Sequence, residues 1–235
     1  MGIITKVIAR QVFDSRGNPT VEAEVFSKNI SSSSICPSGA STGSFEAYEK
    51  RDLNKKNYNG KSVFKAVKII NTTIAKELKN QNVHNQEKID HILLKLDGTK
   101  QKTKLGANSM LSVSMAVKKL SSKIKKIPLY KNFLVKKNFS LPYPLMNIIN
   151  GGVHANNGLQ IQEFMIRPDG AKSFTQAIKM SFLVINNLRT ILKKLNLSTS
   201  VGDEGGFAPM IGSNSQALNL ITKAIRMSGF KNGKD

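Results

Sequence analysis

A change of hydrophobic period partway along the chain sets the first limit on its fold. After residue 140 two apolar runs, PYPLMNIIN and LQIQEFMIRP, have strand character, and two helical stripes follow them. Each stripe opens with a capping box. Ser173-x-x-Gln176 begins a helix striped by Phe174, Ile178, Phe182, Ile185, Leu188, Leu192 and Leu195, and Ser213-x-x-Gln216 begins one striped by Leu218, Ile221 and Ile225. Between them lies VGDEGGFAP, residues 201–209, where Asp203 and Glu204 stand side by side among glycines. Strands, then helices, with an acid-bearing loop between, predict the opening part of a β/α barrel with its chemistry on loops at strand C-terminal ends. The chain stops at FKNGKD with too few strands to close such a barrel, so an open edge is expected.

Upstream the pattern differs. Residues Ile3 to Ala9 and Thr20 to Phe26 are β-rich, Val21, Ala23 and Val25 share a face, and the turn-forming DSRGNP at 14–19 predicts a hairpin between them. The following NISSSSICPSGASTGS is too polar for a core strand and reads as a mobile loop. Three helical stripes come next: Val63, Val67, Ile70, Ile74 and Leu78; Ile89, Ile92, Leu93 and Leu96, stopped by Asp97-Gly98; and Leu111, Met115 and Leu120. The lysine-rich segment 123–137, containing Pro128, marks the boundary. The expectation is an α+β N-terminal cap domain over 1–133 and an incomplete β/α barrel over 140–235.

Charge bears on partners. Lysine and arginine number 36 against 15 acids, a net charge of +21, which points toward anionic partners. Thirty of the 36 are lysines, spread without RGG runs, aromatic interleaving or a basic tail, so nucleic acid is not expected as the primary partner. The single cysteine, Cys36, permits no internal disulfide and suits a reducing compartment. No signal sequence opens the chain, no apolar run approaches a membrane span, and Met1-Gly2 lacks the myristoylation context, so a cytoplasmic protein without a membrane partner is expected.

Three glycine-rich places concentrate reactive groups. Residues 37–44, PSGASTGS, offer hydroxyls to a phosphate or hard cation, and read equally as a flexible linker. The same stretch fits the G-x-S-x-G elbow at Ser41, with Asp97 and His154 following in hydrolase order, but it lacks the buried strand before and the helix after that such an elbow requires. The second place is NGGVHANN at 150–157, where His154 sits in a strand-end turn, followed by Gln162 and Glu163, a carboxylate inside an apolar strand that demands a partner or a role. His84 and His91 read as structural or surface residues. The third is VGDEGGFAP, whose glycines would let it fold over a small ligand while a tuned carboxylic acid works as general acid.

Taken together these segments resemble the enolase family. DSRGNPTVEAEV at 14–25, PSGASTG at 37–43, LDGT at 96–99, LGANSMLSVSMAV at 105–117, MNIINGGVHANN at 146–157, IQEFMI at 161–166 and VGDEGGFAP at 201–209 look like that family's motifs, in order, across essentially the whole chain. The resemblance implies an α+β cap followed by a β/α barrel whose second strand is antiparallel. It implies a lyase of glycolysis, phosphopyruvate hydratase, converting 2-phosphoglycerate to phosphoenolpyruvate with two Mg²⁺ ions.

By that resemblance Glu204 matches the acid, with Glu163 and His154 assisting and His154 also contacting substrate. Asp203 shapes the turn, Gln162 matches a substrate-binding position, and Ser41 matches the lid serine that binds substrate and the second Mg²⁺. Enolases run to nearly twice this length; the first-Mg²⁺ carboxylates, the lysine base and the phosphate-gripping groups fall in the part beyond this chain. The chain alone is therefore expected to be inactive, to need a C-terminal half if the protein is split, and to be part of a homodimer when complete. The alternative is a non-catalytic remnant of the family acting as a basic binding module.

Overall fold

The computed structural model describes residues 2–39, 42–133, 140–202 and 205–235. The chain divides into two compact units, Met1–Lys137 and Asn138–Asp235.

In the first unit, β1 (Lys6–Phe13), β2 (Pro19–Ser27) and β3 (Ile30–Cys36) form an antiparallel sheet in the order β1-β2-β3. The hairpin turn is built by Asp14, whose Oδ1 accepts the N–H groups of Arg16 and Asn18 at 2.9 and 2.8 Å, while Gly17 takes φ 74°. Helices follow: α1 (Phe64–Ile69), a π-helical turn (Ile70–Ile74), α2 (Ala75–Leu78), α3 (Gln86–Asp97), α4 (Ala107–Lys125) and α5 (Leu129–Phe133). Val21, Ala23 and Val25 of the sheet, Val63, Ile70, Ile74 and Leu78, and Val113, Val117 and Leu120 of α4 are fully buried in one core. Gly98 ends α3 in the left-handed conformation that the Asp-Gly pair predicts.

The polar run ISSSSIC is a strand, not the mobile loop its composition suggests. It lies at the sheet edge, where hydroxyls and helix side chains replace an apolar neighbour: Ser31 donates to Glu24 at 2.9 Å, Lys119 Nζ reaches the Ser33 carbonyl at 3.3 Å, and Lys123 Nζ the Ser31 carbonyl at 3.0 Å. The opposite edge is met by Asn71 in the π-helical turn, which accepts from Ala9 N–H at 2.7 Å and donates to Ala9 O at 3.0 Å.

The buried side of α4 also differs from the stripe read in the sequence. Leu111 and Met115 are exposed, and the helix packs on β2 and β3 through Met110, Val113, Ala116, Val117 and Leu120 with Ser109, Ser112 and Ser121. A face lined with serine and alanine lets the helix approach the sheet closely, so bulk is a poor guide to the inward side.

The second unit pairs β4 (Met146–Asn150) with β5 (Glu163–Ile166) antiparallel, Asn150 opposite Glu163. Phe207 adds to β4 as a short parallel bridge, donating its N–H to Ile148 O at 2.9 Å and accepting from Asn150 N–H at 2.8 Å. Two helices, α6 (Phe174–Lys194) and α7 (Asn214–Met227), begin where the capping boxes predict, Ser173 and Ser213 each accepting the N–H three residues on at 3.2 Å. Ile148, Ile149, Phe164, Leu188, Leu192, Phe207, Ala217 and Ala224 form its core.

The stripe on α6 is rotated from the sequence reading: Phe174, Ile178, Phe182 and Leu195 are exposed, while Ala177, Met180, Ser181, Val184, Leu188, Ile191 and Leu192 face inward. On α7 Leu218 is likewise exposed and Ala217, Leu220, Ile221 and Ala224 are buried. Both helices are apolar over a wide arc, and small residues such as Ala177, Ser181, Ala217 and Ala224 fall on the buried side. The fold is an α+β unit followed by the first strands and helices of a β/α barrel that the described residues leave unclosed. Among the described residues no helix is long and apolar enough to cross a membrane.

Candidate active site

Three described candidate residues of the second unit, His154, Gln162 and Glu163, collect at one end of its two-stranded sheet. The chain leaves β4 at Asn150 and makes the 3-10 turn Gly152–His154, then comes back through Gln162 into Glu163, the first residue of β5. This brings His154 between two neighbours. Its Nε2 lies 2.9 Å from Gln162 Nε2, and its Nδ1 lies 3.4 Å from Glu163 Oε1. The imidazole is 5 % exposed and the Glu163 side chain 26 %, so the ring is held in the protein while the carboxylate stays reachable from solvent. An imidazole flanked by a carboxylate and a carboxamide can bind an oxyanion or relay a proton.

The glycines here serve close backbone approach. A Cβ on Gly151 would lie 2.3 Å from Ile161 O, one on Gly202 2.5 Å from Asn150 Nδ2, and one on Gly206 2.9 Å from the Ile148 carbonyl carbon. Only glycine fits at such contacts. The glycines of VGDEGGFAP at 202 and 206 thus press this segment onto β4 and the His154 turn, where the sequence suggests folding over a ligand. Gly202 N–H donates to Gly206 O at 2.9 Å, and Gly205 N–H to Gly202 O at 3.1 Å, on either side of Asp203 and Glu204.

Asp203, Glu204 and Ser41 lie outside the described residues. The described flanks of Ser41 are anchored within the first unit. Ser38 donates its hydroxyl to Glu49 at 2.7 Å and accepts from Arg51 Nη2 at 2.7 Å, while Arg16 donates to the Ser38 carbonyl at 2.8 Å. Gly43 N–H donates to Glu46 at 2.8 Å. The two ends of this stretch are thus tied to polar side chains. Asp97, the acid of the hydrolase pattern, is used inside its own unit: its carboxylate accepts from Leu105 N–H at 2.7 Å and from the Thr99 hydroxyl and N–H. Burial pushes this group up, and those hydrogen bonds outweigh it, holding the acid below its ordinary value. His84 bonds Ser121 at 2.9 Å, and burial, then Lys125 and the N-terminal amine, depress its basicity, in keeping with a structural role.

Sequence reading passed over Asn150 and Asn157. Asn150 is fully buried, donates to Gly206 O at 2.7 Å, and accepts from Asn147 Nδ2. Asn157 is 3 % exposed and donates to both Asn150 O at 2.8 Å and Pro209 O at 3.1 Å. Both stand inside the NGGVHANN motif, but nothing in a single sequence tells an asparagine that faces backbone carbonyls from one that faces a ligand.

A helix-backed strand end carrying a histidine and a carboxylate is the site class of β/α-barrel enzymes. The family model "Enolase, N-terminal domain" matches residues 4–133, and "Enolase, C-terminal TIM barrel domain" matches residues 138–234. The chain is similar to the enolase of Pelagibacter ubique (strain HTCC1062), 67% identical over 235 residues, which is 100% of this chain and 56% of that protein. It is similar as well to the enolase of Ehrlichia canis (strain Jake), 51% identical over 233 residues, which is 99% of this chain and 55% of that protein. The chain belongs to the enolase family, and it spans about half the length of the curated relatives it matches.

Proposed function

We propose that this chain supplies one half of a phosphopyruvate hydratase active site, working in the reversible conversion of 2-phosphoglycerate to phosphoenolpyruvate and water in the cytoplasm. The observation that carries this reading is the gathering of His154, Gln162 and Glu163 at the strand end where the segment flanking Glu204 is also fastened. In the reaction the proton leaves the carbon that bears the phosphate, and hydroxide departs from the neighbouring carbon. Glu204 is the acid that protonates the leaving hydroxide, and Glu163 and His154 assist it. Gln162 and His154 hold substrate oxygen, and Ser41 closes over it.

Two Mg²⁺ ions, which would stabilise the enolate, belong to the same proposal. Among the described residues no three of His, Cys, Asp and Glu gather at one point, so these residues do not fit a metal by themselves and no step here is routed through one. The base that removes the proton is likewise assigned to the part of the relatives beyond this chain's span. Dimerisation is expected of the completed protein.

The test is complementation. The chain is mixed with the separately produced remaining half of the Pelagibacter relative, in Mg²⁺, and phosphoenolpyruvate is followed. Neither half alone should form it, the mixture should, and Glu204→Gln should reduce turnover by at least about a thousandfold, as loss of an essential proton donor together with its charge environment does. A folded mixture that forms no product sinks the proposal. The basic-module alternative rests on the net charge of +21 alone.

A further inference from the structure

We infer that Asn150 and Asn157 are positioning residues, a pair of buried carboxamides that fix the acid-bearing segment to the strand end carrying His154. The inference rests on the reading of Glu204 and His154 as partners in one site, and it goes further by naming what sets their separation. Three stretches of backbone meet here: the end of β4, the turn that presents His154, and the segment described at 201–202 and 205–209. Asn150 joins the first to the third through Gly206 O, at 2.7 Å. Asn157, at the far end of the His154 turn, joins the second to both others, through Asn150 O at 2.8 Å and Pro209 O at 3.1 Å. Backbone bonds from Phe207 to Ile148 and from Asn150 to Phe207 add a parallel rung.

The geometry leaves little slack. Gly202 lies so close to the Asn150 carboxamide and to the His154 carbonyl that a Cβ there would meet them at 2.5 and 2.9 Å. Residue 202 immediately precedes the acid pair and residue 206 follows it closely, so the carboxamides bond the segment on its C-terminal side while Asn150 also packs against its N-terminal side at Gly202. A carboxamide is well suited to such a clamp, because each Nδ2 is a fixed donor with no charge to desolvate and the acceptors are backbone carbonyls of the segments it joins. Neither residue need touch substrate. Their effect is on where the acid sits relative to His154, and a displacement of about 1 Å at a reacting group can cost about a hundredfold in rate.

The experiment uses the full chain, as Asn150→Asp and Asn157→Asp, each replacing the Nδ2 donor with a carboxylate oxygen of the same shape. Asn187→Asp is the control: Asn187 donates to Ser228 at 2.8 Å on the face between α6 and α7, away from the strand end. Amide hydrogen exchange is read on the chain, and kcat and KM are read after complementation. Exchange at Gly202, Gly205 and Phe207 should rise at least tenfold in the two site variants and stay level in the control. Turnover kcat should fall about ten- to a hundredfold with KM within about threefold. Unchanged exchange at these amides overturns the clamp; raised exchange with unchanged kcat overturns the positioning role. If the unsubstituted chain fails to turn over on complementation, the functional reading fails, and the exchange measurement still decides whether the carboxamides lock the segment.

Discussion

The two units solve the problem of a sheet edge differently. In the first, side chains reach over from helices: Asn71 onto β1, Lys119 and Lys123 onto β3, with the apolar face sealed under α4. In the second, a loop becomes the neighbour, Phe207 pairing with β4, while α6 turns Phe174, Ile178 and Phe182 toward solvent. The second unit therefore does not depend on a sealed surround to organise its strand end. That end is held locally, by interlocked glycines and two carboxamides, beside a helix face on which Phe174, Ile178 and Phe182 are exposed among the described residues.

The sharpest test of this contrast sets a sealed position against an open one. Leu120→Ala, in the core of the first unit, should cost about 2–5 kcal/mol in urea unfolding, and Phe182→Ala on the open face of α6 less than about 0.5 kcal/mol. An equal loss would show that Phe182 is covered in solution.

Next comes the interlock. Gly206→Ala should destabilise the second unit by about 1–3 kcal/mol, because its Cβ would press on the β4 backbone, which cannot yield as a side chain can. Gly205→Ala meets nothing within 4 Å and bears only the strain of φ 82°, about 1 kcal/mol, so the ordering of the two melting temperatures is the check.

A smaller effect, about 1 kcal/mol, is expected from Asp97→Ala, which strands the Leu105 N–H where water can relieve part of the loss. The acid is held below 3.8 in the folded protein, so its contribution is complete above that value and disappears as pH falls through the lower folded one. Wild-type and variant stabilities should therefore converge only in strong acid. The last effect is chemical and the slightest. Burial, then Glu49, pushes the Cys36 thiol above 9.0, so alkylation should be slow at neutral pH and accelerate in alkali. Rapid labelling at pH 7 would mean that this end of β3 opens readily.

Much of the molecule is legible in the residues alone. Capping boxes at Ser173 and Ser213, the helix stop at Gly98 and the turn at Asp14 are local chemistry, and the structure bears each out within a few residues. The grouping of His154 with Gln162 and Glu163 follows from the single connection between two adjoining antiparallel strand ends. What could not be read were matters of neighbourhood. ISSSSIC becomes a strand because β2 and two lysines lie beside it, and α4 and α6 turn their small residues inward because close packing favours small residues wherever backbones come near.

Most of the elements apart from β3, with their caps and turns, and the family are written in the amino acids, because periodicity, hydrogen-bonding side chains and motif spacing act over a few residues at a time. Which face of each helix is buried, the pairing of Phe207 with β4, and the turning of Asn150 and Asn157 toward carbonyls some fifty residues away in the chain emerge only on folding. Those outcomes depend on distances between segments remote in sequence, and no local pattern encodes them.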